Sequence, residues 1–203
     1  MGRLNLILLI TVLLAGVLYS PLNIAREPLH VLKSPFDNTI PFLSVFIIPY
    51  LSFYPFLIIT LLALVGSKKY SSALTTALIT TLVTLVVSFL TYFFFQTYVE
   101  RPVVTGNDLF SKLIIFLYLH DQPYNDFPSL HTSLSTICLI SWIKIRGRPW
   151  LWMVSWTAVI IFSVLFVKQH YFLGLAGGIG LAATSYWITN KSLQRFLKRG
   201  LTS

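Results

Sequence analysis

The distribution of apolar runs constrains this chain more than any other feature of its sequence. Six runs are separated by short polar connections: Leu4 to Ser20, Thr39 to Val65, Ser71 to Phe95, Ser129 to Ile143, Trp150 to Val167 and Tyr171 to Thr189. A bilayer core of ~30 Å takes about 20 helical residues to cross, and within it every backbone polar group must be paired inside its own segment. The pattern therefore predicts an all-α fold, a bundle of six transmembrane helices forming a single membrane domain over residues 1–203. Only 10% of the residues are charged, against about 25% in soluble domains. Met1-Gly2-Arg3 could open a signal peptide, but Ser20-Pro21 makes a poor cleavage site, so the first run reads as a retained span.

Some detail within the runs is legible. Pro41, Pro49 and Pro55 predict a kinked second span, because an interior proline removes a backbone donor and crowds the preceding turn. Leu109 to Leu119 is apolar but short, and reads as an interfacial or re-entrant helix. Pro128 suits the first turn of a helix. Gly174, Gly177, Gly178 and Gly180 offer a small-residue face for close helix contact. Trp142, Trp150, Trp152 and Trp187 fall near run ends, as interfacial anchors do. Residues from Asn190 onward read as a basic amphipathic tail lying on an anionic membrane surface.

Six crossings put both termini on one side, and the charges then sort. Ten of the fifteen Lys and Arg residues fall on the side of the termini, which the positive-inside rule assigns to the cytoplasm. All six acidic residues and all four histidines fall on the other side. The net charge of +9 is too dispersed among apolar runs for nucleic-acid binding and suits an anionic membrane or substrate. The single cysteine, Cys138, excludes an internal disulfide. No ionisable residue sits mid-span, which weighs against a small-solute transporter.

Three clusters reach the extracytoplasmic face from the ends of different runs: Arg101-Pro102, Tyr124-Asn125-Asp126-Phe127-Pro128-Ser129-Leu130-His131, and Lys168-Gln169-His170. Each alone has a bland reading, with Lys168 as a snorkelling anchor and His131 as an interfacial residue. Together they offer cationic donors for phosphoryl oxygens and two imidazoles able to act as nucleophile and acid. Metal-ligand spacing is absent, and no cofactor is expected.

These residues resemble the three signature motifs of the type 2 phosphatidic acid phosphatase (PAP2) superfamily: Arg101-Pro102, Phe127-Pro128-Ser129-Leu130-His131, and Ser163 through Lys168-Gln169-His170-Tyr171. The surrounding Tyr98 to Pro102 and Asp121 to Asn125 are similar to the branch holding inositol phosphorylceramide synthases and bacterial relatives. The resembling core runs over about 92–189. The resemblance implies metal-independent chemistry on a phospholipid, isoprenoid or sphingolipid phosphate. His170 would attack phosphorus to form a phosphohistidine, and His131 would protonate the departing alkoxide and later activate water or an acceptor alcohol. Arg101 and Ser129 would hold the phosphoryl oxygens.

Three positions depart from that pattern. Phe94 stands at the first motif's lysine, Val164 at the third motif's arginine, and Gly174 at the third motif's aspartate. Lys168 would replace one lost charge, and Asp121 or Asp126 would supply a carboxylate to His170. Two function classes stay open: a lipid phosphatase or phosphotransferase, and a catalytically impaired protein of the same fold that binds lipid phosphates without turnover.

Overall fold

The computed structural model describes residues 2–200. Residues 201–203, the end of the expected basic tail, and Met1 of the possible signal n-region lie outside them. The described chain is helical. Its helices are α1 (Arg3–Val17), α2 (Tyr19–Leu22), α3 (Ile47–Leu51), α4 (Phe53–Val65), α5 (Ser71–Phe94), α6 (Leu109–His120), α7 (Leu130–Ile145), α8 (Trp150–Phe166) and α9 (Phe172–Gly200), joined by short 3-10 turns. Extended pairing among the described residues is limited to isolated bridges, His30 with Thr97 and Tyr98 with Tyr124.

Four segments are long and apolar enough to cross a membrane: Arg3–Leu22, Ser44–Val65, Lys68–Phe94 and Phe172–Phe196. Four of the six expected spans meet this length, and the fourth and fifth, α7 and α8, fall below it. α7 has 16 residues and α8 has 17, about 24–26 Å at ~1.5 Å per residue, which is short of the hydrocarbon core. The kink expected from the prolines is a break at Ser52, between α3 and α4. Pro55 has no N–H for the Leu51 carbonyl, and the Ser52 hydroxyl donates to the Pro49 carbonyl instead, at 2.7 Å. Pro41 lies ahead of the helix. At the far end, α9 runs without interruption from the sixth apolar run into the basic segment, so span and tail share one helix.

Two buried clusters hold the bundle. One joins α4, α5, α7, α8 and α9 around Phe56, Leu74, Ile137, Trp142, Ile160 and Ala182. Trp142 is a core residue, 4% exposed, and its indole donates to the Thr60 hydroxyl at 2.9 Å. Its place near a run end misled the anchor reading, because an indole with a buried acceptor no longer needs the interface. Trp152 and Trp187 are exposed. The second cluster packs α3, α6, α8 and the start of α9 around Ile47, Ile114, Val164 and Leu175. In α6 only Ser111, Ile114 and Leu117 are buried, a spacing of three that leaves the opposite face open.

The connections gather at two ends. At one, the Asn5 amide meets Ser71 and Thr75, and the Tyr70 hydroxyl donates to the Ile145 carbonyl. At the other, three long loops interlock: His30 pairs with Gln96 and Tyr98, Val99 with Pro123, and Phe172 with Asp37. That interlocked end carries the candidate site.

Candidate active site

The site begins with how each helix end is made. Ser129 caps α7: its hydroxyl accepts the Thr132 N–H at 3.2 Å, and its own N–H donates to the Gly174 carbonyl at 3.0 Å. Helix α7 therefore starts at Leu130, and Pro128, joined to Phe127 by a cis bond, precedes the cap rather than sitting in the first turn. Ser129 is fully buried. Its oxygen is used as an acceptor, which leaves its proton free to donate. His131 follows one position into the helix. Its ring lies between Tyr50, at 4.3 Å and 13°, and Phe53, at 4.0 Å. Its Nε2 is buried with no protein partner.

His170 arrives by a reversal at the end of α8. Lys168 takes a left-handed conformation at φ 54°, and the Gln169 and His170 N–H groups both donate to the Val164 carbonyl. This tight exit turns the imidazole toward the 124–129 loop. Its Nδ1 stands 3.0 Å from the Asp126 main-chain carbonyl and 3.3 Å from the Asp126 Oδ1. A carbonyl can only accept, so Nδ1 carries the proton and Nε2 is the ring nitrogen with a free lone pair. Helix α9 follows directly, starting at Phe172. Its first N–H groups go to two loop carboxylates, Tyr171 N–H to Asp126 Oδ1 at 2.9 Å and Phe172 N–H to Asp37 Oδ1 at 2.7 Å.

The glycines of α9 explain how the loop comes so close. A Cβ on Gly174 would stand 2.3 Å from Asp126 Oδ1, and one on Gly177 would stand 2.3 Å from the Phe127 ring. A Cβ on Gly178 would press on the Ser129 carbonyl and Thr132. The small-residue face expected to meet another helix mainly receives the 126–129 loop and the first turn of α7. Nothing approaches Gly180.

His131 and His170 line one cavity of about 250 Å³, together with Tyr19, Asp121 and Asn125. A second cavity of about 320 Å³ adjoins it, mostly apolar but for Thr60, Thr81 and Ser141, between α1, α4, α5 and α7. The two share Tyr54, Leu57 and Leu134.

Arg101 lines neither cavity but contacts Asp121, which lines the first. Its guanidinium donates to the Asp121 carbonyl at 2.7 Å and to the Gln169 side-chain oxygen, and stacks over the Tyr118 ring at 4.5 Å. Burial pulls its pKa below the ordinary arginine value, and the Asp121 charge opposes this. Burial likewise pushes the Asp121 carboxyl above the usual carboxylate range, against the pull of Arg101. Asp121 accepts from Tyr19 at 3.2 Å and Asn23 at 2.8 Å, whereas Asp126 is the carboxylate that meets His170. Lys168 is turned away: its ammonium donates to the Ile40 carbonyl at 2.5 Å. Among the departures, Phe94 is 77% exposed and Val164 is wholly buried in the core. Among the described residues, no three His, Cys, Asp or Glu side chains gather into a set able to hold a metal ion.

Of the supporting residues, Asn125 falls within the clusters named from the sequence, whereas Gln96 and Thr97 carried no signal there. Gln96 donates to the Leu22 and Ile24 carbonyls and to Asn125, and accepts from the Arg26 N–H. Asn125, left-handed at φ 66°, returns a bond to Leu22. Thr97 holds the Phe127 N–H.

The family model for the PAP2 superfamily matches residues 22–188. The chain belongs to the PAP2 superfamily. The match begins well before the core at 92–189 that the motifs outlined, and it takes in Leu22, Tyr50 and Phe53, whose carbonyl and rings meet Asn125 and His131. Membership in the PAP2 superfamily points to phosphatase-type chemistry on phosphate esters, with a phosphorylated lipid as substrate, and the apolar helices point to a membrane protein. No curated protein and no solved structure matches the chain.

Proposed function

We propose that this protein is a membrane-embedded lipid phosphatase or phosphotransferase working through a phosphohistidine at His170. The observation that carries the reading is the pairing of His170 Nδ1 with Asp126, which leaves Nε2 as the basic nitrogen of a cavity shared with His131. The Nε2 lone pair forms the N–P bond as the bond to the lipid alkoxide breaks. His131 Nε2–H gives its proton to that alkoxide. In the second half, water or an acceptor alcohol loses a proton to His131 and attacks phosphorus, and the N–P electrons return to His170. Arg101 and the Ser129 hydroxyl stabilise charge spread over the phosphoryl oxygens. Lys168 would join them only by leaving the Ile40 carbonyl. The apolar cavity beside the histidines suits a hydrocarbon chain, which favours a phospholipid, isoprenoid or sphingolipid phosphate over a soluble ester.

The bundle fits six crossings in this reading, with α7 and α8 spanning where their ends are sheltered by neighbouring helices. Both termini are cytoplasmic and the site is extracytoplasmic. The second reading, phosphate binding without turnover, draws on the lean positive charge of the site, where Lys168 is already engaged.

The experiment that separates them is phosphate release from a panel of lipid phosphates in detergent micelles, with chelator present. The expected result is release by the unmodified protein and a loss of at least about 10³-fold in His170→Ala. No release from either protein, and no transfer to an added acceptor alcohol, with lipid-phosphate binding retained, would establish the binding reading. Activity unchanged in His170→Ala would exclude the phosphohistidine.

A further inference from the structure

Asp126 is a fully buried acid whose charge the steps above do not use. Its Oδ1 accepts the Tyr171 N–H and lies 3.3 Å from His170 Nδ1, and its Oδ2 has no protein partner. Holding a helix N–H requires only a neutral acceptor, and Asn or Ser does it as well as Asp. Burying a carboxylate for that purpose alone is costly. The geometry around it is reserved at close quarters. Gly174, in the first turn of α9, faces both the Asp126 carboxylate and its main-chain oxygen, and a Cβ there would come within 2.3 and 2.5 Å of them. Any larger residue at 174 would push the loop and its carboxylate off the imidazole. Asp121, the other acid near the cavity, is occupied by Tyr19 and Asn23.

We propose that Asp126 is the positioning residue of the proposed nucleophile, its charge stabilising the His170 ring, and that Gly174 is the clearance that seats it. The inference rests on His170 acting as the phosphoryl acceptor. The division of labour is specific. The main-chain carbonyl of residue 126 fixes the Nδ1–H tautomer whatever side chain follows, and the carboxylate adds the negative charge. As Nε2 forms its bond to phosphorus and the leaving alkoxide takes its proton from His131, the imidazole becomes cationic. It keeps its Nδ1 proton, which faces Asp126. When water displaces the phosphoryl group the ring returns to neutral. Because the carbonyl still holds the tautomer, removing the charge costs less than the ~10⁴-fold seen where a triad aspartate controls both.

The test uses the full chain in detergent, on a lipid phosphate that the unmodified protein hydrolyses. It compares Asp126→Asn, Gly174→Ala, the double variant and His170→Ala. Asp126→Asn keeps an acceptor for the Tyr171 N–H, so its thermal midpoint stays close to that of the unmodified protein. Its kcat falls about 10²-fold and its KM is unchanged. Gly174→Ala also loses kcat, and adding Asp126→Asn to it lowers kcat no further, because the carboxylate has already been displaced. The proposal is overturned by an Asp126→Asn protein with kcat within about twofold of the unmodified value, or by fully additive losses in the double variant. An inactive His170→Ala beside a fully active Asp126→Asn removes this inference alone. Equal release from the unmodified protein and His170→Ala removes the nucleophile itself and this inference with it.

Discussion

At the scale of single residues, the candidate site is a set of side chains whose neighbours decide what each can do. Lys168 and Arg101 read alike in sequence, as cations on one face. In the fold, Arg101 is fixed by Asp121 and Gln169, and Lys168 is turned to Ile40. Asp121 and Asp126 were equal candidates to serve His170, five residues apart in one loop. The turn at Asn125 sends Asp126 to the imidazole and leaves Asp121 with Tyr19 and Asn23. Asp121 also makes a pH prediction. Burial raises its folded pKa above the unfolded value of about 4, so the native state binds its proton more readily than the unfolded chain. The Asp121 contribution is then greatest at low pH and is lost as pH rises through the folded value. Asp121→Asn lacks this term. Its thermal midpoint should rise relative to the unmodified protein as pH increases from about 4 toward neutral, then hold a constant offset. A midpoint difference independent of pH would show that Asp121 does not titrate with folding.

At the scale of elements, α9 is the platform on which the site is assembled. Its N-terminal N–H groups take carboxylates from two loops, and its glycines admit the 126–129 backbone. The four glycines are not equivalent. Gly177→Ala would drive a methyl into the Phe127 ring, which stands 2.3 Å away, an overpacking cost of about 1–3 kcal/mol. Gly180→Ala meets nothing within 4 Å and should gain about 0.5–1 kcal/mol from the lower flexibility of the unfolded chain. Thermal unfolding in detergent checks both, with a lower midpoint for the first and an equal or higher one for the second. Equal effects would mean that the loop does not seat on that face. The apolar runs announced where helices would form; α7 and α8, at 16 and 17 residues, are shorter than the four segments long enough to cross a membrane. Both are among the most enclosed helices, packed against neighbours along much of their length, and apolar residues in a core look the same as those facing lipid.

At the scale of the whole molecule, the loops with the histidines and acids lie at one end, and the Gly66 to Tyr70 and Arg146 to Pro149 turns lie at the other. Six crossings follow if both ends reach water. Single cysteines placed in a Cys138→Ala background test this with a membrane-impermeant maleimide on intact cells. Val103→Cys, at a position that is 90% exposed in the long loop, should label without permeabilisation. Lys69→Cys should label only after it. Labelling of both on intact cells would exclude the six-crossing topology. A site built where three loops interlock needs residues 22–53 as much as the motifs, because they supply the carbonyls, stacking rings and cap on which those motifs rest.

The helical class and the membrane setting were determined by the sequence alone, because apolar run length and backbone pairing act locally and leave few alternatives. The motif histidines could also be read from it, since their neighbours in the chain mark them. The tertiary structure alone decided which carboxylate reaches His170, which cation is held against Asp121, and that Trp142 belongs to the core. Each of those depends on a contact between residues tens of positions apart, and such contacts are set by the close approach of backbones at Gly174 and Gly177 and by the turns at Asn125 and Lys168. No pattern of neighbours along the chain encodes that geometry.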